Sequence, residues 1–306
     1  MIVFLLVKPD NKKISVSVEQ TCTISDLKKK IQSIDDNNRF HGNLMFTYNQ
    51  NRLYDEKTIK DYSIEENSTI YFYYSEYRPI YLNIQSFSDK TYHHYFDLTN
   101  TFKDVKKYLE KIYNISKDQI LVQCDEILDE NLKLNQVKSE HLSHPIFICP
   151  PTSDNQKQRP IIIKYIKGGY QLVQFNFSEK ASDLKKLIQK KFKNNDQPNL
   201  YFKETLLEDD KSLKDYHLPE YPLLLVSPRT GGKMIDISFK DYSGKEILMK
   251  IESKETIENI KLLMNYIDQH QSIKQNLMIN DNCINDDQKT LESLSISNGS
   301  KINIKH

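Results

Sequence analysis

Four windows of this 306-residue chain carry nearly the same apolar spacing, and that repeat limits the folds open to it. Ile24, Leu27, Ile31 and Ile34 step by 3, 4 and 3 residues. So do Phe102, Val105, Leu109 and Ile112, and again Ile257, Ile260, Met264 and Ile267. Such steps put four side chains on one stripe of a helix. The remaining window keeps Ala181, Leu184 and Ile188 and then shifts its last apolar residue to Phe192. Successive windows begin 76 to 79 residues apart, so the chain reads as four units of similar length.

Each helix follows two alternating strand-like runs joined by a turn. The first unit has Ile2 to Val7 and Ile14 to Val18 around Lys8-Pro9-Asp10-Asn11. The third has Ile161 to Ile166 and Gln171 to Phe177 around Gly168-Gly169, and the fourth Ile235 to Phe239 and Ile247 to Ile251 around Tyr242-Ser243-Gly244. Thr23, Thr101 and Thr256 precede helices as N-cap candidates, with Asp26 and Asp104 three residues after the first two. Short apolar runs follow each helix: Leu44-Met45-Phe46, Ile120-Leu121-Val122, Leu200-Tyr201-Phe202 and Leu277-Met278-Ile279. Each unit closes on a strand at Thr69 to Tyr73, Ile146 to Cys149, Leu223 to Val226 or Lys301 to Ile304. The expected class is α+β, four tandem β-grasp domains, each a mixed sheet packed on one helix. The boundaries fall at 1–76, 79–151, 158–232 and 233–306.

Two segments make this specific. Arg52-Leu-Tyr-Asp-Glu-Lys-Thr-Ile-Lys-Asp-Tyr-Ser-Ile64 and Leu206-Leu-Glu-Asp-Asp-Lys-Ser-Leu-Lys-Asp-Tyr-His-Leu218 resemble the C-terminal half of ubiquitin. Thr256-Ile-Glu-Asn-Ile-Lys261 and Thr23-Ile-Ser-Asp-Leu-Lys28 are similar to the start of its helix. Units two and four depart from the pattern, with Gln136-Val137 and Ser293-Leu294 in place of Asp-Tyr. The whole chain therefore resembles a diverged polyubiquitin of four units.

The resemblance implies protein partners that read an apolar patch on the sheet. The matching positions are Met45, Tyr71 and Tyr73 in unit one, Val122, Phe147 and Cys149 in unit two, and Tyr201, Leu224 and Val226 in unit three. Unit four offers Met278 and then Asn303 and Lys305. These patches either meet partner proteins or pack between neighbouring units. Pro228-Arg-Thr-Gly-Gly232 resembles the Gly-Gly tail used in conjugation, so Gly231 and Gly232 mark either a processing site or a linker. The chain ends Asn303-Ile-Lys-His306 without a glycine to activate.

Composition narrows the alternatives. Net charge is +1, which argues against nucleic acid or an anionic membrane as the partner of the whole chain. Residues 157–232 hold 14 Lys and Arg against 9 Asp and Glu, concentrated at Lys180, Lys185, Lys186, Lys190, Lys191 and Lys193. Such a run is either a solvated helix face or a surface for an acidic partner. His141 and His144 have the spacing of half a metal site, but nothing completes it, and His93-His94 would point to opposite faces of a strand. No nucleophile motif or phosphate-binding Gly loop is present, so no enzyme activity, cofactor, metal or small-molecule substrate is expected. Cys22, Cys124, Cys149 and Cys283 are dispersed, and the seven-residue apolar start is too short for a signal peptide; both suggest a cytoplasmic protein. The expected function is a non-enzymatic scaffold, a semi-rigid structural or docking subunit of a larger assembly such as a cytoskeletal one. The alternatives are a modifier precursor cut after Gly232 and an adaptor of the ubiquitin–proteasome system.

Overall fold

The computed structural model describes residues 1–8, 12–34, 40, 44–49, 51–74, 79–87, 90–137, 144–152, 157–192, 197–241, 243–267, 276–279 and 282–305, with the side chains of 191 and 192 excluded. The turn residues Pro9 to Asn11 and Tyr242, the joint residues 76–78, His141, Lys193 and the side chains of Lys191 and Phe192 lie outside that description.

Repeat one contains β1 (Ile2–Lys8), β2 (Lys12–Ser17), α1 (Ile24–Ile34), β3 (Met45–Tyr48), β4 (Asn51–Leu53) and β5 (Thr69–Tyr73). Repeat two contains β6 (Ile80–Ser86), β7 (Thr91–Phe96), α2 (Phe102–Tyr113), β8 (Ile120–Gln123), β9 (Glu126–Ile127) and β10 (Ile146–Cys149). Repeat three follows with β11 (Arg159–Tyr165), β12 (Tyr170–Phe175), α3 (Ala181–Phe192), β13 (Asn199–Phe202), β14 (Thr205–Leu206) and β15 (Leu223–Ser227). Repeat four has β16 (Met234–Lys240), β17 (Glu246–Glu252), α4 (Ile257–Ile267), β18 (Asn276–Ile279), β19 (Asn282–Cys283) and β20 (Lys301–Lys305).

Every repeat builds one five-stranded sheet in the same order, second-first-fifth-third-fourth, as in β2-β1-β5-β3-β4. The first strand is antiparallel to the second and parallel to the fifth, with Leu5 opposite both Ile14 and Ile70. A parallel neighbour requires a long crossover, and the helix supplies it. The described residues divide into two compact units: Met1–Ile84, Thr91–Lys117 and Asp129–Pro145 in one, Gln85–Lys90, Asp118–Leu128 and Ile146–His306 in the other.

The helical stripes enter the cores as their spacing predicts, with one exception at the ends. Ile24, Leu27 and Ile31 are buried, as are Phe102, Val105 and Leu109, but Ile34 and Ile112 are about half exposed. Thr101 and Asp104 form a reciprocal capping box at α2, and Thr23 with Asp26 do the same at α1. The Thr256 hydroxyl accepts from the Asn259 N–H at 3.3 Å.

The Lys-Asp-Tyr segments have a local purpose. Asp61 and Asp215 accept the N–H of Thr58 and Ser212, at 2.8 and 2.9 Å, as caps of short 3-10 turns. The Tyr62 and Tyr216 hydroxyls accept the N–H of Tyr54 and Glu208, at 2.8 and 2.6 Å. In the divergent repeats Gln136 and Ser293 take over the cap, receiving the N–H of Lys133 and Thr290 at 3.0 Å each. The motif changed there, while the capping bond was retained.

Candidate functional site

Strand alternation assigns each residue of a sheet to the helix side or to the opposite, outer face. In repeat one Ile70 and Phe72 enter the core, which leaves Met45, Tyr71 and Tyr73 on the outer face, with Met45 opposite Tyr73. Tyr71 is 38% exposed, Met45 half-buried and Tyr73 buried. Burial and the nearby Asp97 carboxylate push the Tyr73 phenol above its ordinary value, although a hydrogen bond with Thr47 opposes the shift.

This face opens into a cleft of about 670 Å³ that Tyr81 and Tyr95 of β6 and β7 also line. Tyr54 and Tyr81 stand on its wall, 55% and 44% exposed. Tyr95 lies 4.9 Å from Tyr81 between ring centroids, and the Arg52 guanidinium lies 5.6 Å from the Tyr54 ring. On the neighbouring strand His93 stacks on Tyr81 at 5.4 Å, with planes 5° apart, while His94 stacks on Tyr108. The two histidines therefore face opposite sides of the strand.

The outer face of repeat three is enclosed, and so is that of repeat two where β8 and β10 form it. Val122, Phe147 and Cys149 are fully buried in one apolar cluster with Ile162, Leu172 and Tyr221 of repeat three, and Phe147 meets the Tyr170 ring at 5.4 Å. The same cluster runs on through Tyr201, Leu223 and Leu225 into repeat four. Burial pushes the Cys149 thiol up to about 12 and the Cys124 thiol up to about 11, so both stay protonated near neutrality.

Two sequence assignments change here. Leu224 and Val226 do not lie on the outer face; they pack under α3 with Leu184 and Ile188. Leu223 and Leu225 occupy the outer positions, and Leu225 pairs with Tyr201. A shift of one residue exchanges the faces of a strand, and Leu223-Leu-Leu-Val226 is apolar on both sides, so alternation could not set its register.

Repeat four caps the third face. The Tyr266 hydroxyl, from α4, donates to the Leu223 carbonyl at 2.7 Å and accepts from the Lys203 N–H at 3.2 Å. The Tyr201 hydroxyl donates to the Lys250 carbonyl at 3.3 Å. Tyr266 lies off the apolar stripe of its helix, and nothing in the spacing marked it. Repeat four's own outer face is polar: Met278 stands opposite Asn303, and Lys301 and Lys305 are exposed.

The Gly-Gly junction is tied to the same joint. The Thr230 N–H and hydroxyl both donate to the Glu252 carboxylate, at 2.5 and 2.6 Å. The Lys233 N–H donates to Ser253 Oγ at 3.2 Å, and the Ser253 N–H to the Lys233 carbonyl at 2.8 Å. Gly231 adopts φ +73° in open space. A Cβ on Gly232 would stand 2.5 Å from the Lys254 nitrogen and 2.9 Å from the Ser253 nitrogen. Gly232 is therefore required by close backbone approach.

Polar side chains line the joint. The Asn199 amide donates to Glu252 at 3.3 Å, and Glu255 accepts from Asn259 at 2.5 Å and from the Ser227 hydroxyl at 3.3 Å. Burial pushes Glu252 upward, but bonds from Thr230 and Asn199 outweigh it and hold the carboxyl below its usual value. At Glu255 burial prevails and raises it.

Among the described residues the α3 lysines do not form one free patch. Lys185 is buried and pairs with Asp209 at 2.5 Å, Lys186 pairs with Asp183 at 2.9 Å, and Lys180 and Lys190 are exposed. Among the described residues no His, Cys, Asp and Glu cluster has metal-binding geometry, and no helix is long and apolar enough to cross a membrane.

Residues 4–76 match the family model described as Ubiquitin family. That match and four identical sheet orders, each with one helix, fit a single fold repeated in tandem.

Proposed function

We propose that this chain, a tandem of four ubiquitin-like β-grasp domains, is a non-enzymatic protein-interaction scaffold that uses its second and third sheet faces to fasten its own domains together. The domain extents are 1–76, 79–151, 158–232 and 233–306. Ubiquitin-like domains belong to protein–protein recognition or to ubiquitin-related processes, and an internal use of the sheet face favours the first. The observation that carries the reading is the burial of Val122, Phe147 and Tyr201 in one cluster spanning three repeats. Faces spent in this way are not free to act as interchangeable tags. The first domain keeps Met45, Tyr71 and Tyr73 beside an open cleft, and that is where a partner protein docks in this reading.

The hydrogen-bonded Thr230–Lys233 segment supports a joint in preference to a cleavable tail. Four free cysteines, three of them with thiols raised chiefly by burial, suit a cytoplasmic subunit of a larger assembly. An immunoblot of native lysate tests the choice: a single full-length band is expected. A three-domain band with high-mass conjugates would establish a precursor processed after Gly232.

A further inference from the structure

Two carboxyl groups are sealed side by side in the joint of the third and fourth domains. Glu252 and Glu255 are 3% and 4% exposed and stand at the two ends of one tight turn, closed by the Glu255 N–H on the Glu252 carbonyl at 2.9 Å. The side chains that receive them are neighbours as well. Asn199, which donates to Glu252, and Ser227, which donates to Glu255, are paired across β13 and β15. Directly opposite residues of a sheet have Cβ atoms about 4.5–5.5 Å apart, so both acids meet one small patch of the third domain.

Among the described residues no cation pairs with either acid. On the third-domain side Lys185 and Arg229 are both engaged by Asp209, at 2.5 and 3.0 Å. Lys167 faces Glu258 at 4.0 Å on the exposed rim, and Lys254 in the turn and Glu292 beyond it are exposed. The other titratable group here is the Tyr201 phenol, which burial keeps neutral and whose hydroxyl donates to the Lys250 carbonyl.

The hydrogen bonds divide the pair. Glu252 accepts the N–H and the hydroxyl of Thr230 at 2.5 and 2.6 Å, besides the Asn199 amide. Glu255 accepts the Asn259 amide at 2.5 Å and the Thr256 N–H and Ser227 hydroxyl at 3.3 Å each. The amide oxygens of Asn199 and Asn259 are buried without a donor, so the pocket has acceptors to spare. Two like charges in such a place repel and lack solvation, and one retained proton relieves both costs. The Thr230 bonds hold the charge on Glu252, and burial leaves the proton on Glu255.

We propose that this joint is a proton-operated latch: it is tight while the Glu252–Glu255 pair holds one proton, and loss of that proton populates a state in which the fourth domain leaves the third domain's sheet face. That state uncovers the apolar face of Tyr201, Leu223 and Leu225 for a partner protein. The inference rests on the scaffold reading and adds its regulation. The contribution of the proton is complete below pH 4.5 and is lost as pH rises through the folded value of Glu255.

Hydrogen–deuterium exchange of the full chain, expressed as protection relative to the unstructured rate at each pH, tests the latch. The reporter is the Lys203 N–H, bonded across the joint to the Tyr266 hydroxyl at 3.2 Å; the reference is the Ile162 N–H, bonded within the third domain to the Pro222 carbonyl at 2.9 Å. From about pH 5 to about pH 8 protection at Lys203 should fall, by up to about tenfold per pH unit while the pair titrates, and protection at Ile162 should hold. Glu255→Gln should abolish the fall. If that variant does not fold, Ser227→Ala, which takes one donor from the ionised carboxyl, should extend the fall to higher pH. Protection at Lys203 that ignores pH, a fall that survives Glu255→Gln, or an equal fall at Ile162 overturns the proposal. Constant protection with Phe147 and Tyr201 shielded leaves the scaffold reading standing, whereas faces open to solvent at every pH remove that reading itself.

Discussion

Gly232→Ala is the substitution whose cost follows most directly from the geometry. The new methyl would stand 2.5 and 2.9 Å from the backbone nitrogens of Lys254 and Ser253, and backbone cannot swing aside as a side chain can. Overpacking of this kind costs about 1–3 kcal/mol. If the segment slides away instead, the two donors of Thr230 leave the Glu252 carboxylate, which is only 3% exposed. Hydrogen bonds to a charged group are worth about 1.5–3 kcal/mol each, so losing both costs about 3–6 kcal/mol, and the penalty is at least the about 1–3 kcal/mol of the overpacked alternative. Gly231→Ala is the control: its Cβ meets open space, and only φ +73° opposes it, at about 1–2 kcal/mol. Urea unfolding of the full chain, followed by tyrosine fluorescence, measures both. An alanine that costs less at 232 than at 231 would refute the close-approach argument and return the glycines to the status of plain linker.

Three further outcomes follow. Phe147→Ala should destabilise the chain by about 3–5 kcal/mol, the cost of emptying a core site, whereas Leu248→Ala, at a side chain 67% exposed, should stay within about 0.5 kcal/mol; thermal unfolding compares them. Tyr62→Phe and Tyr216→Phe should each lower stability by about 1 kcal/mol by removing the acceptor of the Tyr54 and Glu208 N–H groups, measured by urea unfolding. The joint of the third and fourth domains should respond to pH in two directions. Glu255 is raised in the folded chain, so its contribution is complete below the unfolded value of 4.5 and is lost as pH rises through the folded value. Glu252 is lowered, so its contribution is present above 4.5 and disappears as pH falls through its folded value. Glu255→Gln should therefore flatten the loss of stability on the way to neutral pH and leave the acid limb intact, as seen in chemical unfolding across that range.

The repeat, the helices and their caps were legible because they are local: a 3-4-3 stripe and a Thr with Asp three residues on need no tertiary information. The ends of the stripes were not: Ile34 and Ile112 keep the spacing and are still about half exposed. The outer-face positions were read correctly at Met45, Tyr71, Tyr73, Val122, Phe147 and Tyr201, where one side of the strand differs from the other. They were misread at Leu224 and Val226, where four consecutive apolar residues hide the period. Sequence could not choose between exposed and internal faces, because burial of Phe147 depends on Tyr170 and Leu172, more than twenty residues away. Nor could it show why Gly232 is glycine, which depends on Ser253 and Lys254. The cleft left one trace, the aromatic run Tyr92-His-His-Tyr-Phe96, whose alternate members His93 and Tyr95 flank Tyr81.

Hydroxyl-radical footprinting of the intact chain, read residue by residue by mass spectrometry, tests the central claim most directly. Phe147 and Tyr201 should be shielded to the level of core residues such as Phe46 and Phe72, while Tyr54 and Tyr81 are strongly oxidised. Oxidation of Phe147 and Tyr201 at the rate of Tyr54 would mean that these sheet faces are open to solvent, and would contradict the account.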